Sequence, residues 1–243
     1  MHSRSSIVRF PLATLATLAL VLPAMARGQS EPVPELERLC NRTYDDPRPP
    51  SLEALDARAA RESGARASFL RGCRHLAERK FGPAGAEFEK AVKADPGVAI
   101  YHFWFGRATG EQAQRANPLR QPGLARRTKG EFEKAVELDP AYIPAREGLV
   151  RYYLAAPGMM GGSIDRAQEQ AEAITRVNAY RGGLAHANVA IARKDTAALL
   201  RAHEGLAAQF PDSTVPLFAL FTVNAARKAW PAAWSAVDRL ERL

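Results

Sequence analysis

Arginine is the residue type with the most definite chemistry to offer in this chain. Arg107, Arg115, Arg120, Arg126, Arg127 and Lys129 crowd one stretch, with only Glu111 and Glu131 among them. A guanidinium grips a carboxylate or phosphate through two parallel hydrogen bonds, so such a cluster can hold an anionic group in a fixed orientation. The plainer alternative is a solvated face on which long side chains lie along apolar surface with their heads in water. Met159 and Met160, set between Gly158 and Gly161, offer either an adaptable apolar finger or a plug for a gap beside the neighbouring loop, the plug being favoured. Tyr101, Phe103, Trp104 and Phe105 point in different directions on a helix, so most are core and some can line a surface groove. His75, His102, His186 and His203 show no metal-ligand spacing. No Ser/His/Asp arrangement, glycine-rich phosphate loop or paired carboxylates stand out. A metal, a cofactor and an enzymatic activity are therefore not expected.

Cys40 and Cys73 are the two cysteines. Their reading depends on compartment. Arg4 and Arg9 make a basic start, Phe10–Leu22 is mostly apolar, and Ala24-Met25-Ala26 fits signal cleavage. Residues 1–26 thus read as a signal peptide, too short for a membrane span, and the mature chain as periplasmic or secreted. In an oxidising compartment one disulfide is the natural expectation, two separate thiols the alternative. Cleavage would take the net charge from +8 to +6, because Arg4 and Arg9 leave and no acid does. A modest positive surplus with acids interleaved throughout does not point to nucleic acid.

These residues need elements to hold them. Residues 27–50 are punctuated by Pro32, Pro34, Pro47, Pro49 and Pro50, and read as poorly structured apart from a short helix near Glu35–Cys40. Ser51 offers an N-cap for a leading helix within 51–64. From residue 65 to 243 the apolar spacing is helical, with no useful alternating strand, and falls into about five pairs. Asp95-Pro96 and Asp139-Pro140 break the pattern between pairs. The decapeptides EFEKAVKADP (87–96) and EFEKAVELDP (131–140) share eight of ten residues. A near-duplicate of this kind marks a unit that buries its apolar face on its own copies.

The duplicated unit resembles the tetratricopeptide repeat, a 34-residue helix-turn-helix. Gly72, Phe81, Ala84, Phe88, Ala91 and Pro96 fit the pattern in the first unit, and Gly106, Phe132, Ala135 and Pro140 in the second. Leu149, Tyr153, Ala167, Trp230 and Ala233 fit later units more weakly. The resemblance implies an all-α, right-handed solenoid of about five helix pairs in which helix A of each unit lines a concave groove for a protein or peptide partner. A homo-oligomer is left open. It also puts Arg107 and Arg151 at one groove-facing helix-A position in consecutive units, with Cys73 at such a position in the first. A Cys40–Cys73 bond would then lay the N-terminal segment across the first repeat. The carboxylate-clamp form of the family is not expected, because Phe69, Cys73, Phe103 and Arg107 occupy its key positions.

The two decapeptides lie 44 residues apart, ten more than the family period. The surplus falls at 115–123, between helices A and B of the second unit, and a smaller insertion falls at 156–163 in the third. Such insertions map to one edge, often the binding edge. The expected contacts are therefore Tyr101, Phe103, Arg107, Arg120, Arg126, Arg151, Met159 and Met160, on the groove and this A–B edge. The alternative is an anionic small ligand or a cell-envelope polymer held by the basic edge.

Overall fold

A computed structural model describes residues 34–40 and 51–243, and the expected signal peptide and most of the proline-rich segment lie outside the described residues. Two short helices lead, α1 (Pro34–Cys40) and α2 (Leu52–Ala59). Five pairs follow: α3 (Gly64–Ala77) with α4 (Phe81–Ala94), α5 (Ala99–Arg115) with α6 (Gln121–Leu138), α7 (Ile143–Ala155) with α8 (Ile164–Val177), α9 (Ala179–Ala192) with α10 (Thr196–Gln209), and α11 (Thr214–Ala226) with α12 (Trp230–Leu240). From α2 on, each helix packs on the next in sequence, and no strand occurs among the described residues. This is the all-α stack of five pairs that the repeat implies.

Local chemistry sets the boundaries. Ser51 accepts a hydrogen bond from the Ala54 amide at 3.1 Å, Ser163 from Arg166 at 3.3 Å and Asp195 from Ala198 at 2.8 Å, each satisfying an otherwise orphaned N–H of a first helical turn. Asn178 alone separates α8 from α9 and caps the latter by accepting from Arg181 N at 2.9 Å. The fourth helix A therefore starts at Ala179. In the three unextended pairs, a residue at positive φ turns the chain from A to B: Arg79, Lys194 and Lys228.

The interior is built from rings and branched side chains seated on glycine. A methyl at Gly72 would stand 2.5 Å from Phe88 Cε1, so only glycine lets α3 and α4 approach this closely. Phe132 repeats the arrangement on two sides: a methyl at either Gly106 or Gly148 would stand 2.9 Å from its ring. Leu206 meets Gly183 in the fourth pair in the same way, at 2.5 Å. Ala84, Ala91 and Ala135 are each fully buried at the other crossings. Pro96 and Pro140 close their units, and each carbonyl accepts a side-chain bond from the next helix, Pro96 from His102 and Pro140 from Arg146 Nε at 2.7 Å. Trp230 departs from the pattern. It is half exposed on α12.

The surplus in the second unit is not a long loop. It lengthens the helices to 17 and 18 residues, against 14 and 14 in the first pair, and leaves only 116–120 between them. Asn117 Oδ1 accepts from the Arg120 amide at 3.1 Å, and Pro122 sits in the first turn of α6, where a missing N–H costs nothing. Thr128 donates to Thr109 at 3.2 Å, tying the added turns together. The insertion in the third unit does remain a loop, carrying a 3-10 turn at Gly158–Met160. It is pinned rather than free: Tyr152 Oη donates to the Met160 carbonyl at 2.6 Å, and the Ser163 amide to the Tyr153 carbonyl at 2.9 Å.

His102 shows how a buried polar group is accommodated. Its Nδ1 faces Glu131 at 2.7 Å and its Nε2 the Pro96 carbonyl at 3.0 Å, linking α5, α6 and the preceding turn. Burial alone would push the imidazole pKa down, but the Glu131 carboxylate and the Pro96 carbonyl outweigh it and raise the pKa. A histidine raised on folding contributes stability that is complete below its unfolded pKa and is lost as pH rises through the folded one. Replacing His102→Asn is expected to cost about 1–3 kcal/mol at pH 5.5 and clearly less at pH 8.5. Urea unfolding of the two proteins at both pH values checks this, and an equal loss at both would refute the charged bridge.

Candidate functional site

The helix-A face carries an arrangement centred on α1. Cys40 is bonded to Cys73 of α3, with Cα atoms 4.9 Å apart, and Leu39 and Cys40 pack against the main core cluster. One turn back along α1, the carboxyl of Glu37 accepts a hydrogen bond from the hydroxyl of Tyr142, the residue that opens α7. So α1 bridges from the first unit to the third. Burial pushes the Glu37 carboxyl up, opposed by the Tyr142 hydroxyl, the Trp104 indole N–H and the charges of Arg107 and Arg181. The Trp104 N–H is buried and completes no hydrogen bond. Tyr142 is itself raised well above the usual tyrosine range by burial, then by the Glu37 charge.

Arg107 stands beside this contact. Its guanidinium lies 4.6 Å above the Trp104 ring, which holds it in place by cation–π attraction. Burial lowers its pKa, and the neighbouring charge of Arg151 lowers it further. Neither Arg107 nor Arg151 forms a hydrogen bond or ion pair with a described residue. Their approach brings together two helix-A positions that lie 44 residues apart in sequence. Arg181 of α9 is different, since both its guanidinium contacts are taken by Glu147, at 2.7 and 2.6 Å. A half-buried guanidinium beside an exposed one, neither paired to a described residue, is chemically able to receive an anion and to take carboxylates bidentately.

The remaining expected contacts separate into other places. Tyr101 and Phe103 are corrected to core residues, 2 and 4 % exposed. Tyr101 packs on Phe69 at 5.3 Å and burial raises its hydroxyl to about 12, while Phe103 packs on Phe132 at 5.8 Å and Tyr142 at 5.4 Å. Their direction on α5 is inward, so neither offers free surface. Arg120 lies on the A–B edge, where with Leu119 and Arg127 it lines an open pocket of about 540 Å³ against α4 and α5. Arg126 is exposed on α6. Met159 is 94 % exposed, so it projects instead of plugging a gap, and Met160 is held through its carbonyl. Leu119, 93 % exposed, is a second apolar tip in the corresponding loop of the second unit.

Glu37, Tyr142, Arg181 and Glu147 escape a reading of motifs. The acids beside Cys40 are the available signal, because a disulfide to a groove position must bring nearby side chains onto the same face. Among the described residues no group of three His, Cys, Asp or Glu side chains gathers as a metal site would. No helix there is long and apolar enough to cross a membrane.

No protein-family model matches the chain, and no curated protein matches it in sequence. Solved structures are similar to it. One is TTC0263, a thermophilic TPR protein of Thermus thermophilus, with a TM-score of 0.58 at 14 % identity, covering 68 % of this chain and 84 % of that one. Another is the human IFIT1 dimer with PPP-AAAA, with a TM-score of 0.41 at 15 % identity, covering 78 % of this chain and 50 % of that one.

Proposed function

We propose that this chain, a tetratricopeptide-type solenoid in fold, is an exported scaffold that binds a protein or peptide partner through its helix-A face and its A–B edge. The observation that carries the reading is the pair Arg107 and Arg151, whose charges meet on the helix-A face and which form no ion pair with a described residue. Arg107 is partly buried and feels the like charge of the exposed Arg151, so an anionic ligand that reached both would relieve that repulsion. The apolar tips Leu119 and Met159 supply exposed contact area on the edge. Export to the periplasm or outside the cell is supported by the signal-like first 26 residues and by the Cys40–Cys73 bond, which persists in oxidising compartments.

The test is capture of partners from an envelope extract by the wild type and by Arg107→Ala/Arg151→Ala. We expect the double variant to lose tenfold or more in affinity for at least one captured partner, since a hydrogen bond to a charged group is worth about 1.5–3 kcal/mol. Unchanged capture of every partner would refute the role of this face. The pocket at Arg120 and Arg127 favours a second reading, an anionic small ligand or envelope polymer at the basic edge. Binding of that kind weakens steeply with ionic strength, whereas apolar docking does not.

A further inference from the structure

We infer that α1 is a resident ligand of the helix-A face: this face receives a short helical segment presenting a carboxylate, and α1 holds the place under the Cys40–Cys73 latch until an acidic partner segment replaces it. The inference rests on the helix-A face being the binding face, as proposed above, and names its partner class and its control.

Three observations carry it. A helix of seven residues is not stable alone in water, so α1 owes its form to the surface beneath it, as a docked peptide does. Its contacts are those of a ligand rather than of a repeat. Leu39 and Cys40 pack on the core cluster, and Glu37 is the acid that meets Tyr142 with Arg107 and Arg181 nearby. The match is also incomplete. Glu37 feels the charge of Arg107 without closing to an ion pair, and the buried Trp104 N–H that points to it falls short of hydrogen-bond geometry. A partner carboxylate that reached both arginines would make charge-assisted bonds that α1 does not make, and on contact strength alone would bind better.

The latch is what lets the weaker occupant hold its place. A covalent tether makes rebinding intramolecular, at an effective concentration on the order of millimolar for a short flexible link, and with the bond intact the Cys40 end cannot leave at all. Opening requires a dithiol reductant. Its thiolate attacks one cysteine sulfur, the mixed disulfide is resolved by its second thiol, and two electrons and two protons pass to give Cys40 and Cys73 thiols while the reductant closes to a disulfide. Cys73 is 2 % exposed, which directs the attack to Cys40, the more accessible sulfur.

The experiment uses the full chain in oxidised form, as Cys40→Ser, and as Cys40→Ser/Glu37→Gln. Amide hydrogen exchange over residues 35–40 reads α1 docking directly. We expect slow exchange in the oxidised chain, at least tenfold faster exchange in Cys40→Ser, and a further increase with Glu37→Gln, while α3 to α12 stay protected. In parallel, a labelled peptide of residues 34–40 carrying Cys40→Ser is titrated by anisotropy. We expect no binding to the oxidised chain, binding to the Cys40→Ser/Glu37→Gln chain, and a tenfold or greater loss when the peptide carries Glu37→Gln. Exchange at α1 that ignores both the latch and Glu37, or peptide binding indifferent to its carboxylate, would overturn the inference. If that happens while Arg107→Ala/Arg151→Ala still abolishes partner capture, the binding face stands and the resident-ligand role alone falls. If capture is also unchanged, the face itself falls.

Discussion

Phe132→Ala is expected to lower the unfolding free energy by about 3–5 kcal/mol, the usual range for removing a buried phenylalanine ring. The ring is 6 % exposed and lies between Gly106 of its own unit and Gly148 of the next, so its loss opens a void on both sides. The glycines make the effect diagnostic. Gly148→Ala in the wild type drives a methyl to about 3 Å from a ring that cannot retreat, because Gly106 already stands equally close on the far side. That overpacking is expected to cost about 1–3 kcal/mol. Once Phe132 is alanine the clash is gone, and the same Gly148→Ala should be neutral or stabilise by about 0.5–1 kcal/mol, the helix preference of alanine over glycine. Urea unfolding of the four proteins closes the cycle. Simple additivity of the two substitutions would mean that the ring and Gly148 do not share a contact.

Breaking the Cys40–Cys73 bond is expected to cost about 3–4 kcal/mol in the chain-entropy account, for cysteines separated by 33 residues. The loss should appear both on reducing the wild type and in Cys40→Ser. Trp104 is a suitable reporter. It is fully buried in α5 beside Glu37, whereas Trp230 and Trp234 are half exposed in α12 and change little on unfolding. The urea midpoint followed by its emission should fall by the same amount under both treatments. A shift below about 1 kcal/mol would refute the loop-closure contribution of the bond.

Much of the architecture was legible in the residues. The decapeptides at 87–96 and 131–140, the glycines at 72 and 106 and the Asp-Pro breaks carry the repeat, because each encodes a local requirement: a small residue at a crossing, a stop after helix B. Gly148 and Gly183 obey the same requirement and were readable by spacing, about 35 residues apart, once the period was free to vary. The surplus at 115–123 was legible as a length and misleading as a loop. Helix propagation through that stretch is limited only by where Asn117 and Pro122 permit a turn, and the shared Thr109–Thr128 contact that favours the longer helices joins residues 19 apart.

The site was less legible. Tyr101 and Phe103 have the types of binding residues, but their facing is decided by the neighbouring helices, and both point inward. Arg107 and Arg151 stand out by their 44-residue spacing; that their charges meet without an ion pair to a described residue is a property of two helices side by side. By itself, the sequence determined the helical repeat, its small-residue crossings, its caps and a pair of cysteines, since these depend on residues near one another or on a period. Only the tertiary structure decided that α1 crosses from the first unit to the third and sets Glu37 beside Tyr142 and Arg107, 105 and 70 positions away. No local propensity encodes such a meeting. It follows from stacking units until distant helix-A faces share one surface, with Cys40 bonded at its near end.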